Sequence, residues 1–166
     1  MCIRDRTRND IAYAPTENFF YPWMSIEEVG KYYQDFFPDF SLDTYHTLLE
    51  EMKLTPKQKL KTLSSGMNAK TKIAAALSRN AKVYLLDEPF NGIDLITRDE
   101  IAKTIIQSLR QDNAIIISSH LIEEMESFID SAIFIRDGHL LEVCDTESLR
   151  LRANKSLSDR YRELMQ

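Results

Sequence analysis

The pattern of apolar and polar residues predicts two short buried strands that each end in polar residues. Residues 83–86 form an uninterrupted apolar run, and Ala114–Ser118 forms a second one. Runs of this length without alternation are typical of parallel strands that are covered on both faces. Asp87 and Glu88 follow the first run, and His120 lies just beyond the second. These residues are therefore predicted at the carboxyl edge of a parallel sheet, where open α/β sheets place their ligands.

Helical periodicity and capping residues predict the elements before these strands. A short strand over residues 11–14 is ended by Pro15. Ser25 and Glu28 have the spacing of a capping box. Thr55 and Gln58 have the same spacing, and Pro56 between them suits the first position of a helix. The predicted helices cover residues 25–37, 42–52, a segment that begins at 55, and 67–79.

The second half of the chain is predicted to alternate helices with strands and to end in a helical tail. Asp94 or Thr97 can cap a helix that extends to about Arg110. Asp137 and Gly138 lie between two apolar runs, which is a pattern typical of a β-hairpin. The remaining predictions are a helix over residues 121–128, hairpin strands over 132–135 and 140–143, and a charged helical tail over 146–166.

An aromatic cluster separates the first strand from the first helix. Phe19, Phe20, Tyr21 and Trp23 occupy four of five successive positions. In a soluble domain such a cluster more often packs in the core, and we favour that interpretation. The alternative is an exposed aromatic patch that binds a protein partner.

Composition narrows the class of protein. The 166 residues are 43% hydrophobic and 28% charged, which fits an ordinary globular domain. The formal net charge is −5 and no basic run is present, which disfavours a nucleic-acid partner. Cys2 and Cys144 lack the spacing of a zinc site or a disulfide framework. No apolar stretch approaches the roughly 20 residues that cross a bilayer.

Two groups of residues are candidates for phosphate chemistry. Asp87 and Glu88 suggest a magnesium ligand beside a base for an attacking water, although two solvated acids at a strand end are the simpler alternative. Ser64, Ser65 and Gly66 precede a helix, whose amino terminus favours an anion. An ordinary helix cap is the alternative for the serines.

These motifs together resemble the nucleotide-binding subunit of an ATP-binding cassette (ABC) transporter. The resemblance rests on LSSGM before a helix, then YLLDEP, then Asp94, then a strand followed by His120, and it covers about residues 10–143. It implies an α/β fold with a partial P-loop NTPase core, in which a parallel sheet has flanking helices, plus an α-helical subdomain. It also implies ATP and Mg²⁺ as cofactors.

The resemblance assigns a role to each matching position. Asp87 matches the Walker B aspartate that holds magnesium, and Glu88 matches the catalytic base. His120 matches the histidine that senses the γ-phosphate, and Asp94 matches the D-loop residue that contacts the partner subunit. Thr16 stands where most members have the Q-loop glutamine. The signature motif is matched by Ser64, Ser65, Gly66 and Met67.

The sequence also departs from the family pattern. It contains no GxxxxGK motif followed by Ser or Thr, because Gly30-Lys31 is followed by Tyr32. That loop holds the phosphates of ATP, so we expect the chain to be an amino-terminally truncated fragment that is inactive alone. Thr16 is shorter than glutamine, Ser65 replaces a glycine and Met67 replaces a glutamine. The LSxGM form is similar to exporters related to bacitracin-resistance and acetoin-utilisation systems.

The resemblance further implies a domain organisation and partners. The predicted segments are an unstructured or foreign leader over residues 1–8, a core strand over 9–16, a helical subdomain over 17–80, a catalytic core over 81–145 and a helical tail over 146–166. The implied partners are a transmembrane permease and a second nucleotide-binding subunit, at the cytoplasmic face of the membrane. The implied function is ATP hydrolysis coupled to export.

Two alternatives compete with this function. A non-catalytic module that docks on a membrane partner would explain the missing phosphate loop. A DNA-repair ATPase would require coiled-coil heptads or a basic groove, and the sequence shows neither.

Overall fold

The computed structural model describes residues 9–153 and 155–165, and the chain divides after Ser118 into two compact units. The first unit contains β1 (Ile11–Ala14), α1 (Ile26–Phe36), α2 (Leu42–Glu51), a 3₁₀ turn (Leu60–Thr62), α3 (Ser65–Leu77), β2 (Val83–Asp87), α4 (Leu95–Gln107) and β3 (Ala114–Ser118). The second contains α5 (Ile122–Met125), β4 (Ser131–Arg136), β5 (His139–Asp145), α6 (Thr146–Ala153) and α7 (Leu157–Met165). The leader predicted over residues 1–8 lies outside the described residues, and the other predicted domain boundaries stay predictions.

The predicted parallel sheet is confirmed in the first unit. The strand order is β1-β2-β3, and both pairs are parallel. Asp87 is in register with Ser118, so β2 and β3 end together. The buried side chains of the central strand are Tyr84 and Leu86, and α3 packs against β1 and β2. The α/β class is therefore confirmed.

The prediction that the apolar strands are covered on both faces was wrong for the described structure. Tyr13, Leu85 and Ile116 lie side by side across the sheet, and Tyr13 and Ile116 are 51% and 52% exposed. Strand β3 is an edge strand of the described sheet, because the strand order is β1-β2-β3. Every residue of β3 is exposed or half-buried. An apolar run fixes the strand type, but it does not state how many faces are covered.

The helices of the first unit begin at side-chain caps, and the sequence predicts the caps at Ser25 and Asp94. Ser25 caps α1 through a capping box, in which the Ser25 amide donates to Glu28 Oε2 at 2.6 Å and the Glu28 amide donates to Ser25 Oγ at 3.2 Å. Ser41 caps α2 and Asp94 caps α4. These side chains satisfy amide groups that a helix start otherwise leaves unpaired.

The helix predicted to begin at Thr55 was wrong. Residues 56–59 form a turn and an extended segment, and the 3₁₀ turn follows at residues 60–62. The carbonyl oxygens of Pro56 and Gln58 accept hydrogen bonds from Glu27 and Ile26, which are the first amides of α1. These carbonyls therefore serve a neighbouring helix instead of a helix of their own.

Arg79 connects the end of α3 to the first strand. Its guanidinium donates to both carboxylate oxygens of Asp39 and to the backbone carbonyl of Ile11, at 2.8 Å in the latter case. The side chain is buried and lies over the ring of Phe37. Since a buried guanidinium needs acceptors on all sides, this network holds β1 in place beside α3.

The second unit is built on the predicted hairpin. Strands β4 and β5 pair antiparallel around Asp137 and Gly138, which both have positive φ angles as a tight hairpin turn requires. The predicted tail helix is divided into α6 and α7, and the helix predicted over residues 121–128 is shorter, at Ile122–Met125. Within the part of the chain that the structure describes, no helix has the length and apolar character to cross a membrane.

The close approach of α1 to α2 yields a stability prediction. A Cβ atom on Gly30 would lie 2.6 Å from the ring of Tyr45, which is fully buried and donates its hydroxyl to the Ile26 carbonyl. We expect Gly30→Ala to lower the free energy of unfolding by about 1–3 kcal/mol through overpacking. Urea denaturation followed by circular dichroism measures the loss. The exposed neighbour Lys31→Ala is the control, and equal stability of the two variants would contradict the prediction.

Candidate functional site

The carboxylate of Asp87 is held by hydroxyl groups from both neighbouring strands. Ser118, at the end of β3, donates its hydroxyl to Asp87 Oδ1 at 2.5 Å. Thr16, two residues after β1, donates its hydroxyl to Asp87 Oδ2 at 2.7 Å. The parallel register brings these three positions to one edge of the sheet. The carboxylate orientation is therefore fixed by bonds on each of its two oxygens.

The same two hydroxyls favour the ionised form of Asp87. The Ser118 hydrogen bond, followed by the Thr16 hydrogen bond, lowers the pKa of the Asp87 carboxyl below its usual value. A donor that bonds to the charged form stabilises that form. Asp87 is thus an anion at neutral pH, as a magnesium ligand must be.

Glu88 follows immediately in an unusual backbone conformation. Its φ angle is +46°, in the left-handed region that non-glycine residues seldom occupy. The Glu88 amide donates to the Ser118 carbonyl at 3.1 Å, which extends the β2–β3 pairing by one residue. Strain of this kind persists where surrounding bonds fix it and is common at functional sites. Here it turns the chain out of the sheet directly after Asp87.

The predicted anion-binding segment forms the start of α3. Ser64 is the N-cap of this helix and accepts a hydrogen bond from the Met67 amide at 3.2 Å. Ser65 donates its hydroxyl to the Gly92 carbonyl at 2.8 Å. A Cβ on Gly66 would lie 2.8 Å from Thr97, so only glycine fits there without displacing a neighbour. In this structure Ser64 therefore acts as an ordinary helix cap, which is the alternative that the sequence left open.

Asp94 lies beside this segment and caps the following helix. The Thr97 amide donates to Asp94 Oδ1 at 2.9 Å, and the Thr97 hydroxyl donates to Oδ2 at 2.7 Å. These bonds lower the pKa of the Asp94 carboxyl. Gly92 in the loop after β2 and Thr97 in the first turn of α4 both contact the start of α3.

One cleft joins four of the nine predicted site residues. Its volume is about 220 Å³, and Thr16, Ser65, Asp87 and Glu88 contribute to its lining. Among the described residues, no group of three His, Cys, Asp or Glu side chains is arranged to hold a metal. Magnesium bound with a nucleotide commonly takes one or two protein carboxylates together with phosphate oxygens, so the Asp87 carboxylate fits such an ion.

Sequence reasoning missed Lys72, which also lines the cleft. Its ammonium group donates to the backbone carbonyls of Pro15 at 2.9 Å and Thr16 at 2.6 Å. Burial lowers the pKa of Lys72, and the nearby Asp87 charge partly opposes this shift. The available signal was a lysine inside a strongly apolar helix, four residues after Asn68, which lines the same cleft.

His120 belongs to the second unit, so its predicted partnership with Asp87 and Glu88 stays a prediction. The residue is exposed and precedes Leu121, whose amide donates to the Ser119 hydroxyl at 3.0 Å.

Comparison with known proteins places these features in context. Residues 2–91 match the family model described as "ABC transporter". The chain is 25% identical to the ABC transporter ATP-binding protein YtrB of Bacillus subtilis over 87% of its own length and 50% of that relative. It is 36% identical to the bacitracin transport ATP-binding protein BcrA of Enterococcus faecalis over 60% of its length and 33% of that relative. The chain thus spans about half the length, or less, of these relatives.

A solved structure supports the fold. The ATP-binding subunit of an ABC transporter superimposes with a TM-score of 0.84 over 99% of this chain and 72% of that one. The sequence identity is 22%, so this likeness concerns the α/β fold alone.

The hydroxyl pair on Asp87 yields a pH-dependent stability prediction. Because the folded-state pKa of Asp87 is depressed, its stabilisation is present above the unfolded pKa and is lost as pH falls through the folded value. We expect Ser118→Ala to lower the free energy of unfolding at pH 7 by at most about 1 kcal/mol, since the site is solvent-accessible. Urea titrations at pH 7 and in acid should show that the difference from wild type narrows in acid.

The control is Thr47→Val, which removes a hydroxyl bonded to a backbone carbonyl away from Asp87. Its effect should be the same at both pH values. A Ser118→Ala effect that is equally independent of pH would show that the hydroxyl does not act on the Asp87 charge.

Proposed function

The chain belongs to the ABC transporter family, and we propose that it forms part of an ATP-binding subunit that hydrolyses ATP to drive transport. The role as an ATP-binding subunit is supported by the relatives, which are ATP-binding proteins of transporters. The observation that carries the activity is the cleft in which Asp87, Glu88 and Thr16 meet the start of α3. A carboxylate kept ionised beside a second carboxylate suits a magnesium-bound triphosphate.

Each residue has a distinct part in the proposed mechanism. Magnesium, when bound with ATP, neutralises charge that develops on the phosphates. Asp87 would hold that ion, with its oxygens oriented by Ser118 and Thr16. Glu88 would accept a proton from the attacking water, and His120 would contact the γ-phosphate.

The proposed ATP site is shared between two subunits. Ser64, Ser65, Gly66 and Met67 would face the nucleotide bound on a second nucleotide-binding subunit, and Asp94 would contact that subunit. Closure of the two subunits is then driven by contacts with the nucleotide that are made only in the closed state. The exposed positions of Ser64, Ser65 and Asp94 are compatible with such a contact.

The 166-residue chain alone is proposed to be inactive. Its sequence contains no GxxxxGK motif, whose amides and lysine hold the β- and γ-phosphates in P-loop ATPases. We therefore propose hydrolysis for a protein in which these residues are joined to such a motif. The DNA preceding codon 1 tests this directly, because an in-frame GxxxxGK would supply the missing loop.

The second candidate function is docking on a membrane partner without catalysis. Tyr21 and Trp23 stack with their ring centroids 5.3 Å apart and are 59% and 62% exposed. Phe19 is also exposed, whereas Phe20 is buried against Tyr33, so the prediction of core packing is correct for Phe20 and wrong for the other three. Exposed aromatic pairs are common at protein interfaces.

Docking and catalysis are compatible in one protein. We propose that the Tyr21–Trp23 pair contacts a transmembrane permease, which would hold the subunit at the cytoplasmic face of the membrane. The similarity of the LSSGM motif to that of exporters favours export as the direction of transport. A docking module alone would have no need of Glu88 or of an Asp87 carboxylate that Ser118 and Thr16 orient.

The base role of Glu88 is tested in the ATP-hydrolysing protein. Glu88→Gln should reduce kcat on the order of 10²-fold or more, because the amide cannot accept the proton, while ATP binding persists. Steady-state ATPase assays and nucleotide-binding titrations measure the two effects. The exposed Glu51→Gln on α2 is the matched control and should retain full turnover. Wild-type turnover in Glu88→Gln would remove Glu88 from the base role.

The docking role of the aromatic pair is tested in the assembled transporter. Tyr21→Ala with Trp23→Ala should uncouple transport from ATPase activity, with transport reduced about 10-fold or more, since interface aromatics often contribute 2 kcal/mol or more. Reconstituted vesicles allow both rates to be measured. Phe36→Ala, which removes an exposed aromatic side chain from α1, is the control. Loss of folding in the double variant, seen by circular dichroism, would show that the pair is structural instead.

A further inference from the structure

Lys72 connects α3 to the segment that follows β1. Its ammonium group donates to the carbonyl oxygens of Pro15 and Thr16, which are 57 and 56 residues away in sequence. The side chain is half-buried, on a helix whose other residues from Ala69 to Leu77 are buried. A partly desolvated ammonium group is costly unless acceptors surround it, so these two bonds fix both the lysine and the backbone that it contacts.

Thr16 is bonded in two directions. Its carbonyl oxygen accepts from Lys72, and its hydroxyl donates to Asp87 Oδ2 at 2.7 Å. With Ser118 on the other oxygen, the four residues form a continuous chain from α3 through Thr16 and Asp87 to β3. The backbone orientation of Thr16 determines whether its short side chain reaches Asp87.

We propose that Lys72 is a positioning residue, which holds the backbone of Pro15 and Thr16 so that the Thr16 hydroxyl orients the Asp87 carboxylate. The position of α3 and the orientation of the carboxylate are then coupled. A displacement of α3 that withdraws the ammonium group would release Thr16, and one carboxylate oxygen would lose its donor. Because α3 begins with Ser64 and Ser65, contacts made at its start can reach Asp87 by this route.

The inference rests on the proposed function for what Asp87 binds, but the coupling itself needs no nucleotide. A double-mutant cycle on the 166-residue chain therefore tests it separately. Lys72→Met keeps a long apolar stem without the donors, and Thr16→Val removes the hydroxyl. The readout is the NMR chemical shift of the Asp87 side-chain carboxyl carbon at fixed neutral pH, which reports hydrogen bonding to the carboxylate.

We expect Thr16→Val to shift the Asp87 carboxyl resonance and Lys72→Met to shift it in the same direction. When valine is already present at position 16, Lys72→Met should shift the resonance only by the small amount that loss of the nearby charge produces. Lys72→Arg, which keeps donors and charge, should restore the wild-type resonance. Lys103→Met, which removes the same charge from an exposed position on α4, should leave it unchanged.

Equal Lys72→Met shifts with threonine and with valine at position 16 would overturn the proposal, because the lysine would then act by charge alone. If Lys72→Met does not fold, Lys72→Gln replaces it, since the amide keeps a donor without the charge. A Lys72→Gln resonance at the wild-type position, or a Lys72→Gln shift that disappears when valine occupies position 16, supports the positioning role. An equal Lys72→Gln shift with threonine and with valine at position 16 contradicts it.

A second measurement connects the coupling to the metal. In the ATP-hydrolysing protein, Lys72→Met should raise the Mg²⁺ concentration for half-maximal activity about 10-fold or more, as loss of groups that orient metal ligands commonly does. The KM for ATP at saturating Mg²⁺ should change little. An unchanged Mg²⁺ requirement would overturn the metal-positioning role, whereas a wild-type protein that binds no ATP with Mg²⁺ would instead refute the proposed function.

Discussion

The register between β2 and β3 is the constraint on which the site depends. Asp87 and Ser118 are partners in that register, so the hydroxyl of one strand lies beside the carboxylate of the next. The pairing continues to the Glu88 amide, which bonds to the Ser118 carbonyl and turns the chain away with a positive φ angle. Because side chains alternate between the faces of a strand, a slip of one residue would turn Asp87 away from Ser118.

Helix α3 organises the first unit around that sheet edge. Its residue Ser65 donates to the Gly92 carbonyl in the loop after β2, and Lys72 reaches the segment after β1. Arg79, just past its end, holds β1 through the Ile11 carbonyl. One helix therefore contacts the chain on both sides of Asp87. This arrangement explains why Glu88 and Ser65 line the same cleft despite their separation in sequence.

Local sequence signals predicted the elements well where the residues of the motif bond to one another within the element. The Ser25 and Glu28 capping box and the Asp137-Gly138 hairpin act within a few residues, and the structure contains both. The helix predicted at Thr55 failed because the Pro56 and Gln58 carbonyls bond to α1. The covering of the strands was also misjudged, since it depends on packing partners that an apolar run does not specify.

The sequence by itself determined the α/β class, the caps and the candidate residues Asp87, Glu88 and Ser64 to Met67, because these depend on residue type and short spacing. The tertiary structure alone decided that Thr16 bonds to Asp87 and that Lys72 holds Thr16, across 71 and 56 residues. It also decided that Phe20 is buried while Tyr21 and Trp23 stay exposed. Such contacts depend on how distant segments pack, and local propensity carries no information about that packing.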